Sequence, residues 1–285
     1  MELRVPFGPM DVAVVGHLEW VRFVRVDHVP HAGEIVHPEE TWELPGGGGP
    51  VAAVQLAKLA GSCAFFTAVG DDDLGRRSVA ELEGLGVRVH AAGRGEPTRQ
   101  AITFVDADGE RTITTLGERL EARADDPLPW SDLDAADAVY FTAGDFGALR
   151  AARRGRVLVA TTRAMDRLAG SKVALDAVVG SATDPSERYD PAALIPTPGL
   201  VVRTEGRAGG TWETSDGSVG IYTAVPLPGP ISDLYGCGDS FAAGLTFGLG
   251  EGRGVPDALD LAARCGAWCA TGRGPYEGQL ASAER

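Results

Sequence analysis

Short apolar segments alternate with segments of helical periodicity along this chain, and this alternation constrains the fold more than any other feature. The apolar runs VAVVG (12–16), AFFTAVG (64–70) and VRVH (87–90) are separated by helical patterns at 51–61 and 74–86. Further strand candidates are followed by two helices: AVYFTA (138–143), RVLVA (156–160), VALDAVV (173–179) and LVVRTEG (200–206), then helices at 241–250 and 257–271. Because the strands are almost wholly apolar, we predict an α/β fold with a mostly parallel sheet covered by helices on both faces.

Two polar segments do not fit the interior of such a sheet. Residues 34–43 and 102–115 alternate polar and apolar side chains, and the second segment contains a D-G pair typical of a hairpin turn. They predict a small β lid, with lid strands inserted around 17–45 and 98–116 of a single domain spanning 1–285. A chain of 285 residues, 44% of them hydrophobic, can bury the core of one such domain.

The composition restricts the partners. The formal net charge of −14 and the absence of a dense Lys/Arg run argue against nucleic acid and anionic membrane surfaces. No apolar segment reaches the length of about 18 residues that a membrane-spanning helix needs. The first apolar run is too short for a signal peptide, and the four cysteines show no CxxC pairing. We expect a cytoplasmic protein whose partners are small molecules.

The segment ISDLYGCGDSFAAG (231–244) places small residues directly before an expected helix. The first amides of a helix lack intrahelical partners, and a phosphate group can accept their hydrogen bonds. Glycines at 236 and 238 permit close approach of the backbone to such an anion. Asp239 could then accept the proton of an attacking hydroxyl, although the helix N-terminus should keep this carboxylate ionised and weakly basic. The alternative is that Asp239 only caps the helix.

The same segment resembles the signature D-T-x-G-A-G-D-x-F-x-x-G of the PfkB/ribokinase family of carbohydrate kinases. The matching residues are Asp233, Gly236, Gly238, Asp239, Phe241 and Gly244. Other resemblances follow in the family's order: PGGGGPVAAVQLAKLAG (45–61) is similar to its N-terminal glycine signature, GERTIT (109–114) to a lid strand, and TEGRAGG (204–210) to its nucleotide loop. Together they cover nearly the whole chain.

The resemblance implies a three-layer ribokinase-like fold, ATP bound under the C-terminal part of the sheet, and Mg2+ carried on the phosphates. It implies that Asp239 is the catalytic base and that the amides of Gly236, Cys237 and Gly238 form an anion hole. The residues implied at the nucleotide are Thr204, Gly206, Gly209, Asp233, Gly236 and Gly238. The acceptor is expected between sheet and lid, near Gly46, Gly47, Val51 and Asp239. Lids of this type pair in dimers, so the resemblance also implies that a homodimer can form through the lid.

The chain departs from the family at the acceptor end. Val21 and Val51 stand where sugar kinases carry an Asp and an Asn that bind acceptor hydroxyls, so ribose is not the expected substrate. Glu19 occupies the position of a common Asn and could take over hydroxyl recognition. Trp20 could stack on a ring. The alternative for Glu19 and Trp20 is an exposed strand end.

The phosphate end also departs from the family. Leu234 replaces a threonine, and Cys237 replaces an alanine. Ser181 and Asp184 stand in for the N-x-x-E element, from which we expect Asp184 to hold Mg2+ through water, more weakly than in the family.

Other motifs indicate competing functions. Gly47, Gly49 and Ala52 fit the dinucleotide pattern G-x-G-x-x-A, but they follow the polar segment TWELP instead of a buried strand. No G-K-[ST] phosphate loop occurs. The histidines at 28, 31 and 37 have no fourth ligand at a matching spacing, so they indicate a loop and not a zinc site. The acids at 71–73 indicate a solvated turn.

We therefore predict an ATP-dependent phosphotransferase acting on a hydroxyl, and specifically a hydroxymethyl group, of a small sugar-like molecule. Two alternatives stay open. One is a nucleoside kinase of the same fold, and the other is a non-catalytic sensor of nucleotide or metabolite.

Overall fold

The computed structural model describes residues 10–284, in which thirteen strands and six α-helices are found. The strands are β1 (Val12–Val15), β2 (Glu19–Arg25), β3 (Glu40–Gly46), β4 (Cys63–Gly70), β5 (Val87–Arg94), β6 (Gln100–Val105), β7 (Arg111–Leu116), β8 (Ala138–Phe141), β9 (Val157–Thr161), β10 (Ala177–Ser181), β11 (Leu200–Thr204), β12 (Gly210–Thr214) and β13 (Val219–Tyr222). The helices are α1 (Gly48–Ala60), α2 (Asp73–Gly84), α3 (Phe146–Ala152), α4 (Met165–Leu168), α5 (Cys237–Gly250) and α6 (Val255–Cys269).

Nine strands form the main sheet, in the order β13-β12-β11-β10-β9-β8-β1-β4-β5. Pairing is parallel from β11 to β5, and only β12 and β13 are antiparallel. All eight residues of β4 are buried. A strand covered on both faces needs apolar side chains in both directions, which explains its nearly continuous apolar sequence. The predicted mostly parallel sheet is confirmed.

Helices cover both faces of the main sheet. Successive side chains of a strand point to opposite faces. In β1, Val12 and Val14 accordingly belong to a core cluster shared with α1, α5 and α6, whereas Ala13 and Val15 belong to a second cluster with α3. The chain therefore forms three layers.

The close packing of α5 on α6 depends on a glycine. A Cβ on Gly244 would lie 2.8 Å from Cys265 Sγ and 2.9 Å from Ala262 Cα. Cys265 and Cys269 are both fully buried, as packing against this interface predicts. This contact fixes α5, whose N-terminus carries the signature residues.

A second sheet of four strands, called the lid below, has the order β3-β2-β6-β7. β6 and β7 form the expected hairpin. β3 begins only at Glu40, so the expectation of strand structure from residue 34 is wrong. It also continues through Pro45, which an edge strand tolerates because proline removes only an amide donor there. The Leu234 amide donates to the Gly109 carbonyl at 3.0 Å, which ties the hairpin turn to the loop before α5.

The hairpin of β12 and β13 is not anticipated by the sequence analysis, which assigns no element to residues 211–222. The segment TWETSDGSVGIY (211–222) nevertheless contains alternating residues around a D-G pair, the usual hairpin signal. Within residues 10–284, no helix has the length and apolar character required to cross a membrane.

Candidate active site

Helix α5 begins at Cys237 instead of the predicted Phe241, so the signature glycines belong to its first turn. Its N-cap is Gly236, which has φ +83° and offers no side-chain acceptor. Asp239 is the third residue of the helix and accepts no capping hydrogen bond, so the interpretation of Asp239 as a simple cap is wrong. The N-terminal amides of α5 therefore lack a side-chain acceptor from the described part of the chain.

Gly236 and Gly238 differ in what surrounds them. A Cβ on Gly236 would lie 2.9 Å from Val51 Cγ1, and its positive φ disfavours any other residue. A Cβ on Gly238 would meet no atom within 4 Å. Gly236 thus shapes the loop, whereas Gly238 faces open space at the mouth of the helix.

Cys237 contributes its backbone to this turn. A hydrogen bond with the Cys269 thiol, together with burial, holds the pKa of the Cys237 thiol well above its ordinary value. The thiol is therefore neutral at physiological pH, and its amide is the group available to an anion.

Asp239 is partly buried, and loss of solvation raises its pKa to about 6. The positive charges of Arg163 and Arg111 oppose this increase, while the negative charge of Glu187 adds to it. The expectation of a weakly basic carboxylate is wrong for the ligand-free protein, because burial outweighs the helix N-terminus. A carboxylate with this pKa is ionised at neutral pH and is a better proton acceptor than an exposed aspartate.

Arg163 and Glu187 are site residues that the sequence analysis missed. Arg163 follows β9, and its guanidinium lies 2.6 Å from the buried carboxylate of Glu187 and 3.2 Å from Asp184. Glu187 also accepts a hydrogen bond from the Ser181 amide at 2.7 Å. The available signal was an acid-x-x-E spacing from Asp184 to Glu187, directly after the expected N-x-x-E position.

Asp184 and Ser181 lie together at the end of β10. Asp184 accepts hydrogen bonds from the amide and hydroxyl of Ser186, at 2.9 and 2.7 Å. These bonds are the main reason why its pKa is lowered. The Ser181 hydroxyl accepts from the Asp184 amide at 3.2 Å. Asp184 is thus ionised and retains an exposed edge.

The nucleotide loop predicted from TEGRAGG connects β11 to β12. Thr204 pairs with Ser181 in the sheet, so this loop and the Asp184 turn are neighbours. Gly206 has φ +57° and open space around it, while a Cβ on Gly209 would lie 2.1 Å from the Tyr222 carbonyl oxygen. The structure therefore brings the start of the predicted nucleotide loop next to the turn that carries Asp184.

Asp233 differs from its predicted role. Its carboxylate is completely buried and accepts hydrogen bonds from the amides of Tyr235, at 2.8 Å, and Gly274, at 3.2 Å. It braces the loop before α5 and presents no surface to a nucleotide. Leu234, in the same loop, is partly exposed.

A run of glycines brings the acceptor end of the site together. Gly47 has φ +87°, and a Cβ there would lie 3.0 Å from His17 Nε2 and 3.4 Å from Glu19 Cγ. A Cβ on Gly48 would lie 2.8 Å from Asp239 Oδ1 and 3.1 Å from the hydroxyl oxygen of Thr142. His17 and Thr142 were not predicted, because they come from the ends of different strands.

Glu19 and Trp20 are both buried, but they have different surroundings. Glu19 is only 5% exposed, and burial raises its pKa although Arg99 opposes the shift. Trp20 is buried, its ring lies under Arg77 and its indole donates to Glu43, so the predicted ring stacking with an acceptor is wrong. The alternative of an exposed strand end is also wrong for both residues.

The remaining acceptor-end residues are packed. Val21 and Val51 have no exposed surface. A contact between Val51 and an acceptor would require the surrounding packing to open. A Cβ on Gly46 would lie 2.5 Å from Val21 Cγ2, and the Gly47 amide donates to the Tyr235 hydroxyl at 2.8 Å. These contacts join the glycine run to the signature loop.

The competing motifs have other roles. Helix α1 follows an edge strand of the lid and not a strand of the main sheet, so the dinucleotide interpretation is wrong. His28 is half-buried and pairs with Asp27 and Glu34. Within residues 10–284, no group of three His, Cys, Asp or Glu side chains could hold a metal ion. Asp72 is not simply solvated, since it caps α2 and accepts from the Thr98 amide and hydroxyl.

The profile of the pfkB family carbohydrate kinases matches residues 10–169 and 174–281. The chain belongs to this family. The first turn of α5 has no side-chain cap and contains the partly buried Asp239. This arrangement agrees with the family resemblance of residues 233–244. The chain is therefore a carbohydrate kinase.

Related proteins agree with this assignment. The chain is 28% identical to a fructokinase from Klebsiella pneumoniae, over 84% of this chain and 91% of the relative. It is 26% identical to an ATP-dependent ribose-1-phosphate kinase from Halopiger xanaduensis, over 95% and 96%. Among solved structures, a putative ribokinase from Agrobacterium tumefaciens is 23% identical, with a TM-score of 0.80 and coverage of 97% and 96%. This last similarity supports the ribokinase-like fold.

Proposed function

We propose that this kinase transfers the γ-phosphoryl group of ATP to a hydroxyl group, most simply a hydroxymethyl group, of a small sugar-like acceptor. One observation carries the proposal. The Asp239 carboxylate, with its pKa raised to about 6, lies in the first turn of a helix whose amides have no side-chain cap. This arrangement combines a proton acceptor with an anion-binding turn.

In the proposed reaction the acceptor oxygen forms a new bond to the γ-phosphorus, and the bond from that phosphorus to the ADP oxygen breaks. The proton of the acceptor hydroxyl passes to Asp239, and ADP carries away the electron pair of the broken bond. Phosphoryl transfer needs positioning and charge stabilisation more than covalent participation by the protein. Asp239 therefore aligns the hydroxyl and takes its proton.

The amides of Gly236, Cys237 and Gly238 are proposed to stabilise the charge of the group being transferred. The positive charges of Arg163 and Arg111 lower the pKa of Asp239, and both arginines are proposed to stabilise negative charge during transfer. Arg111 begins β7, so lid closure would add positive charge there. Thr204, Gly206 and Gly209 are proposed to contact the nucleotide.

Mg2+ fits the residues present only as an ion carried mainly by phosphate oxygens and water. No cage of three protein ligands exists within residues 10–284. The ionised Asp184, with Glu187 nearby, suits contact through water, and the Arg163 ion pairs limit the charge available to a cation. When bound, Mg2+ would neutralise phosphate charge during transfer.

Glu19 is proposed to bind an acceptor hydroxyl. It is buried beside Gly47, and its pKa responds to the charge of Asp239, so the two carboxylates face the same region. The names of the relatives, fructokinase and ribose-1-phosphate kinase, support a sugar-type acceptor. We propose a role for the lid in excluding water from this region, so that ATP is not hydrolysed.

An acceptor screen tests the proposal. ADP formation is measured with ATP and Mg2+ in the presence and absence of pentoses, hexoses, sugar phosphates and nucleosides, and products are identified by mass spectrometry. We expect ADP formation that depends on a sugar-type acceptor. Preference for nucleosides would favour the nucleoside kinase alternative. Nucleotide binding without turnover on any acceptor would support a sensor and contradict the proposal.

We also propose that two copies can pair through their lids. β7 is an edge strand of the lid with all six residues exposed, including Ile113 and Leu116. An edge of this kind offers unpaired backbone groups to another strand. Light scattering of the protein and of Ile113→Lys tests this: a dimer that the substitution dissociates supports the proposal, and a monomer contradicts it.

A further inference from the structure

A cavity of about 600 Å³ lies beside the acceptor end of the site, and five of its ten lining residues are arginines. It is formed by the end of β5, the segments before β6 and after β7, and the start of α3 and α4. The arginines that line it are Arg94, Arg99, Arg119, Arg123 and Arg167. The lining also contains four acids, which are Glu96, Glu118, Glu121 and Asp145.

Two of these arginines are neutralised by carboxylates. Arg94 makes a bidentate pair with Asp126, at 2.8 and 2.7 Å. Arg167 lies 3.5 Å from Glu121. These pairs hold the wall of the cavity together and leave little charge for a ligand.

Arg119 and Arg99 have fewer hydrogen bonds than these two arginines. In the described part of the chain, Arg119 makes no ion pair or hydrogen bond, and it is exposed to the cavity. The Arg99 side chain is only 13% exposed. It forms a long ion pair with Glu19, with 3.5 Å between Nε and Oε2, but its Nε makes no hydrogen bond. A buried guanidinium donor without an acceptor is costly, which indicates a partner that arrives from outside the chain.

Both arginines act on the acceptor end of the site. Burial, followed by the charges of Arg119 and Arg99, lowers the pKa of His17 to about 3. The same two charges oppose the raised pKa of Glu19. His17 Nδ1 is also buried and has no hydrogen-bond partner. The positive charges of the cavity therefore act on the region where His17 and Glu19 lie beside Gly47.

Four acids line the cavity with the five arginines, and two of the four are held by other groups. Asp145 is held by the amides of Ala148 and Ala124 as the cap of α3. Glu121 is paired with Arg167. Glu96 and Glu118 are exposed, and no ion pair joins either of them to Arg119 or Arg99 within residues 10–284.

We propose that the acceptor carries an anionic group, a phosphate or a carboxylate, which binds Arg119 and Arg99 while its hydroxyl end points to Asp239. This inference rests on the proposed function and narrows its substrate class. An anionic oxygen supplies the acceptor that Arg99 Nε lacks, and Arg119 can add a bidentate contact. Because Arg119 lies just after β7, the lid strand would bring it to the ligand.

Acceptors matched in shape but not in charge test the proposal. Steady-state rates are measured with ribose 1-phosphate against ribose, and with gluconate against sorbitol, using the wild-type protein, Arg119→Ala and Arg119→Lys. Arg88→Ala is the control, because Arg88 is exposed at the opposite end of β5. Calorimetry with ribose 1-phosphate in the absence of ATP measures binding independently of catalysis.

We expect the anionic member of one pair to be preferred. Preference for ribose 1-phosphate over ribose would identify the group as a phosphate, and preference for gluconate over sorbitol would identify it as a carboxylate. Arg119→Ala should reduce that preference about 10- to 100-fold, mainly through KM, with partial recovery in Arg119→Lys and none of these changes in Arg88→Ala. Preference for the neutral member in both pairs, or an equal loss for all acceptors in Arg119→Ala, would overturn the inference while leaving the kinase proposal intact.

If no acceptor is phosphorylated, the kinase proposal fails and calorimetry still decides the inference. Binding of ribose 1-phosphate that Arg119→Ala weakens at least about 10-fold supports the anion site. Absence of binding to the wild-type protein overturns it.

Discussion

The guanidinium of Arg163 lies 2.6 Å from the carboxylate of Glu187, and these two groups shift the pKa of Asp239 in opposite directions. Arg163 lowers it and Glu187 raises it. The ion pair is therefore more than a structural link between the turns after β9 and β10. It adjusts the pKa of the proposed base, which burial shifts most.

Neutralising each partner should move the acidic limb of the pH–rate profile in opposite directions. Asp239 must be deprotonated to act, so the rate rises with pH through its pKa. Arg163→Gln removes a charge that stabilises the carboxylate, and the limb should move to higher pH. Glu187→Gln should move it to lower pH. The measurement is kcat/KM between pH 4.5 and 9 at saturating ATP.

Arg150→Gln is the control for this pair, since Arg150 is exposed on α3. Its profile should match that of the wild-type protein. Shifts in the same direction for Arg163→Gln and Glu187→Gln would contradict the assignment of the limb to Asp239.

Asp239→Asn should stabilise the ligand-free protein at neutral pH. Because folding raises the pKa of Asp239 from its ordinary value to about 6, the folded state disfavours the ionised form. Stability from this group is complete below pH 4 and is lost as pH rises through 6. At pH 8 the gain on substitution should be at most about 3 kcal/mol, and at pH 4 it should vanish.

Thermal unfolding at pH 4 and pH 8 measures this difference. A melting temperature for Asp239→Asn below that of the wild-type protein at pH 8 would show that the carboxylate is stabilising. That result would contradict a raised pKa for Asp239 in the folded protein.

Gly48→Ala should damage catalysis more than folding. The added methyl would lie 2.8 Å from Asp239 Oδ1, the mobile end of a side chain, so the carboxylate should move while the helix stays intact. A displacement of this kind typically reduces turnover about 100-fold. Gly84→Ala is the control, because nothing lies within 4 Å of its Cβ position at the end of α2. Steady-state kinetics and melting temperatures of both variants check the prediction, and equal activities would contradict it.

Gly236→Ala and Gly238→Ala should separate folding from ligand binding. Gly236 has φ +83°, so alanine there should cost about 1–2 kcal/mol of stability. The added methyl would also lie 2.9 Å from Val51 Cγ1, which should lower the stability further. Gly238→Ala meets open space and should leave the melting temperature unchanged or higher. Its methyl would occupy the space proposed for phosphate, so ATP affinity should fall at least about 10-fold. Calorimetric titration with ATP is the test, and unchanged affinity in Gly238→Ala would place the phosphates elsewhere.

The fold was largely predictable because most of the parallel strands are short apolar runs buried on both faces. The run at 64–70, for example, becomes a strand in which every residue is buried. The signature at 231–244 was predictable for a different reason, since glycine spacing and a following aspartate are contiguous in the chain. The hairpin of β12 and β13 was missed although a D-G pair marks it.

The side chains around Asp239 were not predictable, because they converge from separate strands. Arg163 follows β9, Glu187 follows β10 and His17 follows β1. No local pattern connects these positions. Burial also could not be foreseen: the helix N-terminus suggested a weakly basic Asp239, whereas loss of solvation dominates. For the same reason Asp233, a signature residue, proved to brace the loop.

Transfer of radiolabelled phosphate from γ-labelled ATP to an active acceptor, compared in Asp239→Asn and Asp257→Asn, tests the central claim most directly. Both aspartates are the third residue of a helix, but Asp257 is exposed on α6. We predict that Asp239→Asn lowers kcat by about 10²- to 10⁴-fold with ATP affinity nearly unchanged, and that Asp257→Asn retains wild-type turnover. A normal transfer rate in Asp239→Asn would contradict the role of Asp239 as the base.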